Sequence, residues 1–197
     1  MQDEPRPEDP SDAELLERIA AGAEDAFIEL YRRRRHDVFR FAYALARSVS
    51  VAQDVTQDVF LNVLEHAARY VAEKGTVRSW LYGCARNIAV DRLRADGRLA
   101  QGTTREQEEA CKGEDEVFRD QRVRHLHAAI MQLPLEYRET LVLCELTELS
   151  YAETAAVLGC PIGTVRSRLH RARALLAEGL GADSAVPALL KTTEACS

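Results

Sequence analysis

The 197-residue sequence is poor in aromatic residues, at 6%, and holds one Trp and two Met. Ala, Leu, Arg and Glu dominate instead, a balance that favours helix over sheet. No uninterrupted apolar run approaches a membrane span, so no insertion into a bilayer is expected. Cysteine is scattered: Cys84, Cys111, Cys144, Cys160 and Cys196 contain no pair at zinc-site spacing, and their number is odd. A disulfide framework is therefore not expected, and Cys84 and Cys144 read as small buried apolar residues. The histidines form no HExxH motif, no Rossmann or P-loop glycine spacing occurs, and Gly163 stands alone. With no catalytic constellation, metal site or cofactor motif, the sequence speaks against an enzyme. The opening MQDEPRPEDPSD is acidic and Pro-rich, unlike a secretory or transit peptide, so a cytoplasmic protein is expected.

What is present is helical punctuation. Ser11 and Asp12 precede ELLERIAAG, and a longer periodic stretch runs from Ala23 to about Arg47. Phe27, Leu30, Tyr31, Val38, Phe41 and Leu45 share its expected buried flank. The block Arg32 to Arg35 reads as a solvated turn of that helix. Ser50 with Gln53 resembles a capping box for a third helix, in which Val55, Val59, Phe60, Val63 and Ala67 are apolar. Asp54, Gln57, Asp58, Leu61 and Glu65 follow a separate series of three- and four-residue steps, a mostly polar face. After Glu73-Lys74-Gly75, Thr76 is placed to cap VRSWLYGCARNIAVDRLR. The stretch from Gly97 onward loses its large apolar residues and reads as a flexible linker.

The second half carries Pro134 ahead of LEYRETLVLCEL, then Ser150 with Glu153 as a capping box for YAETAAVLG, then Pro161 opening a last helix. A short helix, a tight turn and a second helix make a helix-turn-helix. Residues 129–197 hold six Lys or Arg and eight acids, yet four of the six bases are Arg166, Arg168, Arg171 and Arg173. Such a local basic face can bind DNA even in a chain of net charge -6, because phosphate attraction is strongest at close range. Val165, Leu169 and Ala172 form the inward stripe, Arg166, His170 and Arg173 follow the same spacing on a neighbouring flank, and Ser167 and Arg171 lie four apart. The expected fold is all-α: two helical domains, at 11–96 and 116–181, a flexible linker at 97–115 and a variable tail at 182–197. The residues alone leave open a stand-alone helix-turn-helix regulator, or a helical interaction module whose basic helix is merely solvated.

Three colinear segments resolve that choice by resemblance. AQDVTQDVFLNVLEHA, VRSWLYGCARNIAVDRLR and LPLEYRETLVLCELTELSYAETAAVLGCPIGTVRSRLHRARALL together resemble the extracytoplasmic-function (ECF) sigma factors of the sigma-70 family. The resemblance implies a region 2 and a region 4 domain in a bacterial initiation factor. Its implied partners are core RNA polymerase, promoter DNA and an anti-sigma protein, and the free chain is expected to be monomeric. It implies polymerase docking by Asp54, Gln57, Asp58 and Phe60. It assigns −10 recognition to Arg78, Trp80, Arg86, Asn87, Arg92 and Arg94, with the loop from Ala72 to Ser79 holding an extruded base. Recognition of the −35 element falls to Thr164, Arg166, Ser167, Arg168, Arg171 and Arg173. Gln53 stands where the family often has Glu. Asp91 is expected to pair with an arginine, and Trp80 to pack in the core.

Overall fold

The computed structural model describes residues 9–95, 121–147 and 149–180, the side chains of 121–124 excepted. The expected linker and tail, with Cys111 and Cys196, lie outside them. The described residues form helices and no strand: α1 (Asp12–Ala20), α2 (Glu24–Ala46), α3 (Val49–His66), α4 (Val77–Ala95), α5 (Gln121–Gln132), α6 (Leu135–Leu141), α7 (Tyr151–Leu158) and α8 (Ile162–Leu180). Two 3₁₀ turns, Ala67–Arg69 and Ala72–Lys74, connect α3 to α4.

Local chemistry explains most of the boundaries. Ser11 caps α1 through a reciprocal box with Glu14, and Ser150 caps α7 the same way with Glu153. Gly159 ends α7 in the left-handed region, at φ 63°, where a Cβ is strained. The start of α3 differs from the expected Ser50 box. Arg47 adopts φ 51° after α2, and Ser48 becomes the cap, its Oγ accepting from the Val51 amide. The expected plain helix through Leu146 also differs: Val142–Leu146 widens into a π turn, with the Thr147 amide donating to the Val142 carbonyl.

The first half closes α2, α3 and α4 around Phe41, Leu45, Val55, Val59, Leu81 and Ala85, all at most 2% exposed. Leu15, Leu16 and Ile19 of α1 cover one side. Burying each such large side chain contributes about 1.5–3 kcal/mol. Arg33 and Arg34 are not a solvated turn. They reach Asp12, and Arg33 also donates to the Pro10 carbonyl, fastening the start of α1 onto α2. Tyr31, expected in the buried flank, is exposed. In the second half α6 and α8 enclose Leu141, Leu143, Val165, Leu169, Ala172 and Leu176. The two halves touch: Arg138 of α6 donates to the Leu45 carbonyl at 2.9 Å, at the end of α2, and Tyr43 of α2 lies 5.8 Å from the His127 ring of α5.

Candidate polymerase-docking and DNA-binding surfaces

Three surfaces carry the expected site residues. On α3, Asp54 and Gln57 are exposed and Asp58 partly so, on one face with Leu61 and Leu64. Arg92 of α4 reaches across to both carboxylates, Asp54 at 3.0 Å and Asp58 more closely. The Asp58 carboxylate holds the guanidinium above its ordinary pKa. Arg92, expected at the −10 element, thus lies against the α3 face in this form and is paired there with both carboxylates. Phe60, in the apolar series of α3 and named for docking by the resemblance, is 3% exposed and packs edge-on against Tyr31 at 4.8 Å beneath this face. Tyr31 and Ile28 of α2 are exposed beside it. Leu61 already lay within the polar series of the sequence, whereas the contribution of α2 needed the fold.

The second surface is the start of α4 with its preceding turn. Thr76 caps the helix, its Oγ1 accepting from the Ser79 amide. The Tyr70 hydroxyl donates to the Gly75 carbonyl, and Ser79 Oγ donates to the Thr76 carbonyl. Gly75 sits at φ 144°, and a Cβ there would meet Ser79 Oγ at 2.7 Å, so the turn needs glycine. A cleft of about 320 Å³ opens between this turn and α4, lined by Tyr70, Lys74, Ser79, Trp80, Cys84 and Asn87 among others. Trp80 is half-buried and edge-on to Tyr70 at 6.1 Å, so packing and a cleft wall are combined in one side chain. Cys84, expected in the core, is likewise half-buried on the cleft, where burial raises its thiol pKa and keeps it protonated. Asn87 is exposed and accepts from Arg86 at 3.2 Å. Arg94 pairs with Asp91 at 3.5 Å, an arginine partner for Asp91 as expected.

The third surface is α8. Val165, Leu169 and Ala172 are buried while Arg166, Ser167, His170 and Arg171 are exposed. The Arg166 guanidinium lies 5.9 Å over the Tyr151 ring, which orients it without neutralising it. Ser167 Oγ donates to the Thr164 carbonyl at 3.0 Å. Arg168 and Arg173, also expected at the −35 element, are each paired in this form: Arg168 with Glu136 at 3.1 Å, and Arg173 with Glu145. Their acids sit on α6 and the π turn, so the two arginines tie α8 to its own domain. No group of metal-ligating residues occurs among the described residues, and no helix among them is long and apolar enough to cross a membrane.

Comparison with known proteins fits this layout. Residues 30–99 match the family described as Sigma-70 region 2, and residues 124–176 match Sigma-70, region 4. The chain is 36% identical to the ECF RNA polymerase sigma factor SigM of Mycobacterium tuberculosis, over 87% of this chain and 85% of that one. It is 36% identical to SigE of Mycolicibacterium smegmatis over 79% of this chain, spanning 62% of that relative's length. Among solved structures, CnrH in complex with the cytosolic domain of CnrY aligns at a TM-score of 0.66 and 28% identity, over 88% of this chain and 99% of that one. The sigma factor RpoE of Bartonella quintana, in complex with the anti-sigma factor NepR, aligns at 0.65 and 26% identity, over 82% and 100%. With both regions matched in order, the chain belongs to the ECF sigma factors of the sigma-70 family.

Proposed function

We propose that the chain is a specificity subunit of bacterial RNA polymerase, which binds the core enzyme and directs it to promoters. The observation that carries this reading is the joint presence of two unlike surfaces. One is α3 with its exposed Asp54, Gln57, Leu61 and Leu64, and the other is α8 with its exposed Arg166, Ser167 and Arg171. A stand-alone regulator needs the second and has no use for the first. Acidic and amide groups beside apolar side chains suit a protein partner, whereas unpaired arginines along a helix suit a groove.

The division of labour follows from the chemistry of each face. Arg166 and Arg171 address guanine edges or phosphates in the −35 duplex, with Ser167 as a short polar contact and the helix start, near Thr164, offering amides to phosphate. The cleft beside Trp80 and Asn87 takes a base of the −10 non-template strand. An unstacked base needs an apolar wall, which Tyr70 and Trp80 supply, and an edge partner, which Asn87 supplies. Residues 11–96 and 116–181 act as the two functional units. An anti-sigma protein, such as the one bound by RpoE of Bartonella quintana, is the fitting inhibitor.

Reconstitution tests the reading. Purified chain added to core polymerase and a promoter panel is expected to give initiation from discrete start sites. Folded chain that neither joins core polymerase nor changes its start sites, while still binding duplex DNA, would instead make it a stand-alone regulator.

A further inference from the structure

The arginines of α8 are held by different means. Arg168 and Arg173 are each fixed by a carboxylate, Glu136 at 3.1 Å and Glu145. Arg166 is held by a ring instead: its guanidinium lies 5.9 Å over Tyr151, the first residue of α7. That ring is itself well anchored. Ser150, just before it, caps α7 by accepting from the Glu153 amide at 3.2 Å, and the Glu153 carboxylate accepts from the Ser150 amide at 3.0 Å. Tyr151 is half-buried and packs against the core, whereas Arg166 is exposed. The two kinds of partner leave an arginine in different states. A carboxylate orders it but cancels its charge and repels phosphate. The face of an aromatic ring orders it and leaves the charge and the N–H donors for DNA.

We infer that Tyr151, which lies outside the DNA-reading helix, is a positioning residue for upstream-element specificity: its ring fixes the Arg166 guanidinium so that Arg166 selects a base edge over the phosphates around it. This rests on the placement of Arg166 at the −35 duplex in the proposed function. The reason lies in the shape of the guanidinium. Bidentate pairing with guanine O6 and N7 needs its plane in one orientation, whereas phosphate oxygens accept it from many directions. A freely swinging arginine loses conformational entropy when it is ordered at an interface, whichever acceptor it meets. A ring beneath the guanidinium removes part of that loss only for orientations that keep the stacking, and so favours the base edge. A tyrosine seated on the core does this with little entropy of its own to lose, because it has two side-chain torsions.

Selection from duplex fragments randomised through the upstream element, with the full chain alone and on core polymerase, gives the base preference at each position. Arg166→Ala should flatten the preference at the position that Arg166 reads. Tyr151→Leu should weaken the preference at that same position, by about two- to fivefold. Tyr151→Phe, which keeps the ring and loses the hydroxyl, should retain the native preference. Added to Arg166→Ala, Tyr151→Leu should cause no further loss. Equal losses in the Phe and Leu variants would make the hydroxyl a direct DNA contact and overturn the positioning role. A Tyr151→Leu loss that spreads over all positions, or persists undiminished beside Arg166→Ala, marks a merely structural role and overturns it too. Native preference in Tyr151→Leu, with Arg166→Ala still flattened, overturns the inference and leaves the assignment of Arg166 standing. Native preference in Arg166→Ala overturns that assignment, and the inference with it.

Discussion

The arginines of α4 and those of α8 lie on helices of equal length, 19 residues each, yet they are treated differently. On α4 each described arginine has an acceptor: Arg78 a carbonyl, Arg86 and Arg92 carboxylates of other helices, and Arg94 the nearby Asp91. On α8 the pairing alternates. Arg168 and Arg173 are tied to Glu136 and Glu145, and Arg166 and Arg171 are left facing out. A run of basic residues is thus two populations, one that holds the helix in place and one that it presents. The difference also suits the two targets. Duplex DNA approaches an exposed helix face directly, whereas a base must first leave its stack before a cleft is of use.

The largest test of this contrast removes what presents α8. Leu169→Ala deletes a side chain that is 2% exposed and should cost about 2–5 kcal/mol, read as an earlier urea transition and loss of upstream promoter binding. Next, Arg171→Ala should cost about 1–3 kcal/mol of upstream-element binding by the polymerase complex. Arg168→Ala should change stability more than selectivity, by about 1 kcal/mol or less for a pair so near the surface. Unchanged promoter affinity and selectivity in Arg171→Ala would remove it from the reading face. Asp54→Ala should weaken association with core polymerase while leaving duplex binding by α8 intact, as a titration of the complex would show.

A smaller effect concerns pH. His127 lies between the halves, facing Tyr43 and Arg40 of α2 and Arg47 just after it. Burial first, and then Arg47 and Arg40, lower its pKa from 6.5 to about 4. Once the halves part, the ring returns towards its ordinary value, so between these pH values the open form binds more protons. Its contribution to closure is complete above pH 6.5 and is lost as pH falls towards 4. Scattering should show expansion over that window, and His127→Gln should flatten the response.

Much of the fold was legible because its signals are local. Ser11, Thr76, Ser150 and Gly159 act within three residues of themselves, and the Val165, Leu169 and Ala172 stripe is a matter of helical period. The outward residues of α8 follow from the same period. What was not legible depends on partners far along the chain. Arg33 and Arg34 look solvated until α1 brings Asp12 to them, and the pairing of Arg92 shows only once α3 brings Asp54 and Asp58. Glu139 and Glu153 had no functional signal beyond a helix start. Their contacts with Arg86 and Thr76 exist only once α6 and α7 rest against α4.

The division of labour between the two faces is tested most directly by promoter opening on the reconstituted polymerase, followed as reactivity of unpaired bases. Arg171→Ala should reduce the amount of promoter bound yet leave the opening rate of bound complexes unchanged. Asn87→Ala should leave binding intact and slow or abolish opening. Equal effects of both variants on binding, with opening untouched in each, would contradict the assignment of α8 to the duplex and of the α4 cleft to the separated strand.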